Sequence, residues 1–483
     1  MKIRTQLLLW GTAVMILAAC SSQSGRRETA SPGKENPAQE EVLSGQESSP
    51  DTPIQKDQSG VGQAGQSAAD QQEAGTFRGS VGHVSAGDSR PGSGTSGTFG
   101  AQASTPASAL RKVTFYLENS QSMFGYVSGI TRYVDVVAEL AEKPDFVKED
   151  IPREFFFING TGPVITPIGD DPVVLKKKLN TAGFRCGDIT RSNLNGMFQT
   201  ALSNAGGGAI SILISDGIYD IGDGGMTSLV TSGKETRSQF IRRLQSANLQ
   251  TLMIKLTSEF KGDYFYASRK GKMTLNSERP YYIWIFGESH LLARYFPDSY
   301  IASELSGYET LARFLKPSGE SLPWQLVSEN CLGSFRFDHR VKNRLVDAKP
   351  DRNGRGFQVT LAVDFSSLPF PGEVYLDPES YNCSGNYAVA EVKVPERKIH
   401  ALPFTPTHLV SVKSLKNPAG KVTVALVNRV PGWIAATAAA DEENMAGDTS
   451  RTFGLNYLTD AITEAYRSVA GNQPLAAFAF EVQ

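Results

Sequence analysis

Between residues 112 and about 316 the chain alternates short, almost wholly apolar runs with stretches whose apolar residues recur at helical spacing. This alternation restricts the fold more than any other feature. Runs at 113–117, 154–158, 164–168, 210–214, 251–256 and 281–286 have strand length and little polar alternation, so both faces of each must be covered. Helical spacing marks 130–140, 172–179, 193–204, 235–246 and 288–296, with Val134, Val137 and Leu140 on one face of the first and Leu194, Met197, Phe198 and Leu202 on one face of the third. A hairpin is expected near 259–275. The implied class is α/β, a doubly wound, mostly parallel sheet spanning 110–316.

After residue 317 the period changes. Short alternating runs at 357–363, 374–376, 387–394, 408–412 and 422–427, separated by Pro, Gly and Asn, predict a smaller β-rich, sandwich-like domain over 317–483. A C-terminal helix at about 455–468 and a closing strand at 475–482 complete it, and Trp433 reads as a core residue in a corner.

Ligands of doubly wound sheets bind beyond the carboxyl ends of strands, where strand order reverses. Two polar clusters occupy such positions: Glu118-Asn119-Ser120-Gln121-Ser122 after the first apolar run, and Ser215 to Asp220 after the fourth. Oxygen-bearing side chains at alternate positions suit a hard cation such as Mg²⁺. The competing expectation is that Ser120 and Ser122 cap the following turn and Asp216 bonds backbone amides. Asp220 and Asp223 either extend an acidic rim or simply form the loop. Glu288 and His290 follow the sixth run and offer acid/base groups or an ordinary helix start. Gly206-Gly207-Gly208 lacks the Lys-Ser/Thr of a phosphate loop and reads as a helix exit.

Together these residues resemble the von Willebrand factor A family, whose metal-ion-dependent adhesion site reads Asp-x-Ser-x-Ser, then a mid-domain Thr, then Asp-Gly. Glu118-x-Ser120-x-Ser122 matches the first element, Ser192 (or Thr190) the second, and Asp216-Gly217 the third. Glu118 stands where the family has Asp, which moves the carboxylate about 1.5 Å outward, a large step beside a Mg²⁺ ligand distance of about 2.0 to 2.1 Å. The resemblance implies Mg²⁺ or another divalent cation at Glu118, Ser120, Ser122, Ser192 and Asp216, and a protein partner whose acidic side chain completes the coordination. A second class is a metal-assisted hydrolase using Glu118, Asp216 and His290. A third is a structural envelope protein with a degenerate site.

The N-terminus carries Lys2 and Arg4, an apolar stretch over 7–19 and then Leu17-Ala18-Ala19-Cys20. It resembles a bacterial lipoprotein signal (1–19), which implies lipidation at Cys20 and attachment to the membrane through acyl chains. Residues 20–109 are rich in Ser, Gly, Gln, Ala and Pro, with Phe77 and Phe99 their only aromatics, too little apolar surface to offset ordering. A flexible tether of that length reaches about 50 Å. Ser21 resembles the signal that sends such proteins to the outer membrane, facing the periplasm. A formal net charge of −2 and mixed tether charges argue against nucleic-acid binding. Five His and no zinc-type spacing argue against a His- or Cys-rich metal cluster. Of the remaining cysteines, Cys331 and Cys383 are the two that could pair, leaving Cys186 free.

Overall fold

The structure is a computed structural model that describes residues 109–483 apart from 269, 318, 320, 371, 400–401 and 440–446. The expected signal, Cys20 and the tether lie outside the described residues. Among the described residues no helix is long and apolar enough to cross a membrane.

The first part of the chain runs β1 (Lys112–Glu118), a 3-10 turn (Gln121–Val127), α1 (Arg132–Ala141), α2 (Pro144–Lys148), β2 (Arg153–Asn159), β3 (Val164–Gly169), α3 (Pro172–Lys178), α4 (Leu194–Ser203), β4 (Ala209–Ser215), α5 (Gly225–Ser246), β5 (Gln250–Phe265), β6 (Lys272–Gly287), α6 (Ser289–Tyr295), α7 (Asp298–Glu304) and β7 (Tyr308–Phe314). The strands form one seven-stranded sheet in the order β3-β2-β1-β4-β6-β5-β7.

Helices cover both faces, as the doubly apolar strands require. Ile210, Ile212 and Ile214 of β4 pack with residues of α1, α2, α3, α6 and α7. Leu213 faces the other way, toward α4 and α5. The sheet is mixed rather than mostly parallel: β2, β1 and β4 are parallel neighbours, whereas β3, β6, β5 and β7 join antiparallel. Connection length explains the difference. Only residues 266–271 join β5 to β6, far fewer than a parallel crossover needs.

The remaining strands are β8 (Trp324–Leu332), β9 (Ser334–Phe337), β10 (Arg344–Lys349), β11 (Phe357–Val363), β12 (Tyr381–Cys383), β13 (Tyr387–Lys393), β14 (His408–Ser414) and β15 (Gly420–Leu426), with a helical turn α8 (Gly372–Leu376) where a strand at 374–376 was expected. Then come α9 (Gly432–Thr437), the short β16 (Ala438–Ala439) and β17 (Thr452–Phe453), α10 (Leu455–Val469) and β18 (Ala476–Val482). Two sheets, β12-β15-β18-β10-β9 and β13-β14-β11-β8, enclose one core in which Phe357, Leu361 and Val410 meet Val424, Phe478 and Phe480.

The C-terminal helix does not stay with these strands. Its stripe of Leu455, Leu458, Ile462, Ala465 and Tyr466 is buried with α5 and with Met253 and Phe314 of the large sheet. The Tyr466 hydroxyl shares a 2.9 Å hydrogen bond with Thr251 of β5. An amphipathic helix settles on the largest apolar face left open, and here that face lies over β5 and β7. Cys331 on β8 and Cys383 on β12 stand on different sheets as free thiols, so the expected pairing does not form.

Candidate functional site

From β1 the chain moves to β2 on one side, and it later enters β4 on the other, so the reversal of strand order falls between β1 and β4. Leu117 lies opposite Ile214 in register, which brings the loops after Glu118 and Ser215 side by side. The third contribution comes from the loop before α4, where Ser192 forms a parallel bridge with Gly160 just beyond β2. All five expected residues therefore meet at one end of the sheet.

Glu118 is 1% exposed. Its Oε1 accepts hydrogen bonds from the Ser120 hydroxyl at 2.7 Å and the Ser192 hydroxyl at 2.6 Å. Its other oxygen, Oε2, is buried and has no hydrogen-bond partner. Ser122 Oγ lies 3.0 Å from Ser120 Oγ. Asp216, also buried, accepts the Ile218 amide at 3.2 Å. Thr190 is not the second element, because its hydroxyl donates to Asp188 at 2.7 Å. The competing capping role fails for Ser120, whose side chain makes no cap bond to the 3-10 turn, but it holds in part for Asp216.

Burial, then the neighbouring Asp216 carboxylate, pushes the Glu118 carboxyl up to about 7, while the Ser192, Ser215 and Ser120 hydroxyls restrain the rise. Burial likewise raises Asp216 against the Ser122 hydroxyl, the Arg279 guanidinium and the Ile218 amide. Two buried carboxylates with one orphan oxygen and three hydroxyls form an oxygen-only donor set, which fits a hard divalent ion. Among the described residues no cluster of three or more His, Cys, Asp or Glu offers another metal site.

The site opens into a pocket of about 230 Å³, with Ser120, Ser122, Ser192 and Asp216 at its base and Arg191, Tyr219, Asp220, Phe265 and Tyr266 around it. Phe265 and Tyr266 come from the β5–β6 hairpin, which runs well past the sheet edge. The hairpin lies directly on the 3-10 turn because Gly125 and Gly262 leave room: a Cβ at Gly125 would run into the Phe260 ring, and one at Gly262 would stand 2.9 Å from Gly125 Cα.

Two buried amides hold the Ser192 loop. Asn119 donates to the carbonyls of Phe184 and Cys186 at 2.9 and 3.0 Å. Asn159 donates to Asn119 Oδ1 at 2.9 Å and to the Cys186 carbonyl at 2.7 Å, and accepts the Asp188 amide at 3.0 Å. Gly187 between them has φ of +72°, and a Cβ there would stand 2.6 Å from Asn159 Oδ1. Neither asparagine is marked by spacing in the sequence, although both sit where a parallel strand ends. Arg279 gives no sequence signal at all.

Asp220 lines the pocket, and the side chain of Asp223 lies outside the described residues. Glu288 and His290 do not join the site: Glu288 accepts the Gly208 amide at 3.1 Å, at the amino end of β4, across the sheet from Asp216. The hydrolase reading is therefore left with Glu118 and Asp216, without His290. Comparisons with protein-family models, curated proteins and solved structures give no match to this chain.

Proposed function

We propose that this chain is an exported, lipid-anchored protein that presents a von Willebrand A-like module to a protein partner, with Mg²⁺ or another divalent cation held by Glu118, Ser120, Ser122, Ser192 and Asp216. One observation carries the reading. Oxygen-bearing side chains from three separate loops converge at the strand-order reversal, and they leave Glu118 Oε2 buried and unbonded. Leaving a carboxylate oxygen in that state is costly unless something occupies the place beside it. A bound cation would supply a position for an acidic side chain of the partner, and the open pocket above Asp216 supplies access. Ser120 and Ser122 supply the paired hydroxyls of the family pattern, and the tether expected over 20–109 gives such a module its reach.

The full-length protein, immobilised in detergent and exposed to envelope proteins, tests the proposal. A partner should be retained in Mg²⁺, released by EDTA and absent from the Asp216→Ala variant. A partner held equally in EDTA, or equally by Asp216→Ala, contradicts it.

A further inference from the structure

Arg279 is 1% exposed, and neither terminal nitrogen of its guanidinium has a hydrogen-bond partner. A buried cation left in that state is among the costliest arrangements a protein can hold, so its counter-charge must be found. Strand register places it. Tyr282 of β6 lies opposite Ser215, so the strand carries Arg279 past the loop that begins at Asp216. Tyr281, Ile283 and Ile285 enter the same core as Ile210, Ile212 and Ile214, so strand alternation puts Arg279 on that face, toward the end of β4 that Asp216 follows.

The surroundings close it in. Its guanidinium lies 4.4 Å from the Tyr264 ring centroid and 5.8 Å from that of Phe260, and the Tyr126 hydroxyl bonds the carbonyl of the next residue, Pro280, at 2.5 Å. The aromatic faces offset part of the desolvation.

We infer that Arg279 is the fixed counter-charge of Asp216, a built-in cation that keeps the pocket from holding two uncompensated negative charges and so weakens its grip on a divalent ion. The first clause stands on the buried guanidinium and the strand register; the second rests on the cation-dependent reading above. A charge of like sign near a bound dication lowers affinity, and lowers it more the smaller the local dielectric constant.

A double-substitution cycle in EDTA tests the first clause, using Arg279→Met, Asp216→Asn and the two together, followed by urea unfolding. Asp216→Asn strands the guanidinium and should lower the midpoint clearly, whereas in the Arg279→Met background the same change should cost little. Additive effects overturn the inference. If Asp216→Asn fails to fold, rescue by Arg279→Met supports it and lack of rescue overturns it.

Calorimetric titration with MnCl₂ tests the second clause, with Arg279→Met expected to bind at least about tenfold more tightly than the natural chain. Equal or weaker binding overturns that clause. Coupling in the cycle with no binding heat in either protein supports the counter-charge and overturns the cation-dependent function.

Discussion

Replacing Glu118 by Gln should change how stability depends on pH, and the size of the change follows from the site. In the folded protein burial and Asp216 move the Glu118 carboxyl from its ordinary 4.5 up to about 7. Folding therefore favours the protonated form. The stabilisation is fully present below about pH 4.5 and is lost as pH rises through about 7. Across that window the loss is about 3 kcal/mol, at roughly 1.4 kcal/mol per unit.

Gln keeps the shape and cannot ionise. In EDTA the variant should match the natural chain near pH 4.5 and exceed it by about 3 kcal/mol at pH 8. For a folded unit of about 370 residues, whose unfolding entropy is near 0.8 kcal/mol/K, that is a melting-point gap of about 4 °C. Scanning calorimetry from pH 4.5 to 8 reads it directly. Parallel curves for the two proteins would refute the idea that Glu118 holds a proton in the folded state.

Asn159→Ala removes three hydrogen bonds to buried groups and should cost about 3 kcal/mol, with faster amide exchange confined to residues 184–192; exchange there equal to that of the natural chain would contradict the clasp. Ile462→Ala opens a cavity under α10 and should cost about 2 to 5 kcal/mol, with loss of protection in β5 and β7; a response confined to β8 to β15 would contradict the placement of that helix. Thiol titration of the unfolded, unreduced protein should show Cys186, Cys331 and Cys383 all reactive, and reaction at Cys186 alone would reveal a disulfide that the strand positions oppose.

The strands buried on both faces were legible because runs such as Val113 to Leu117 or Ile210 to Ile214 are short, rich in β-branched and aromatic residues, and stopped by polar or turn-forming residues. The residues of the site were legible for a related reason: oxygen-bearing side chains cluster where those runs stop. Elements held by tertiary contacts were not. The first turns of α5, with Gly225, Thr227, Ser228 and Gly233, have weak helical propensity. They are fixed instead by buried Leu229 and by Thr236, which bonds Tyr219 at 2.6 Å. The long β5 and β6 read as a strand plus a separate hairpin because their outer halves alternate Glu259, Lys261 and Asp263 with Phe260 and Tyr264. That alternation marks the place where the ladder leaves the doubly covered sheet and gains one wet face. Asn119 and Asn159 carry no such mark in the sequence, since an amide's role depends on which carbonyls the fold brings to it.

The most direct test of the cation site is a crystal of the folded part soaked in MnCl₂ and measured at a wavelength where manganese scatters anomalously. One peak should stand among the oxygens of Glu118, Ser120, Ser122, Ser192 and Asp216, and it should vanish in Asp216→Ala. A map with no peak there, from crystals that diffract well and hold the same loop arrangement, would contradict the central claim.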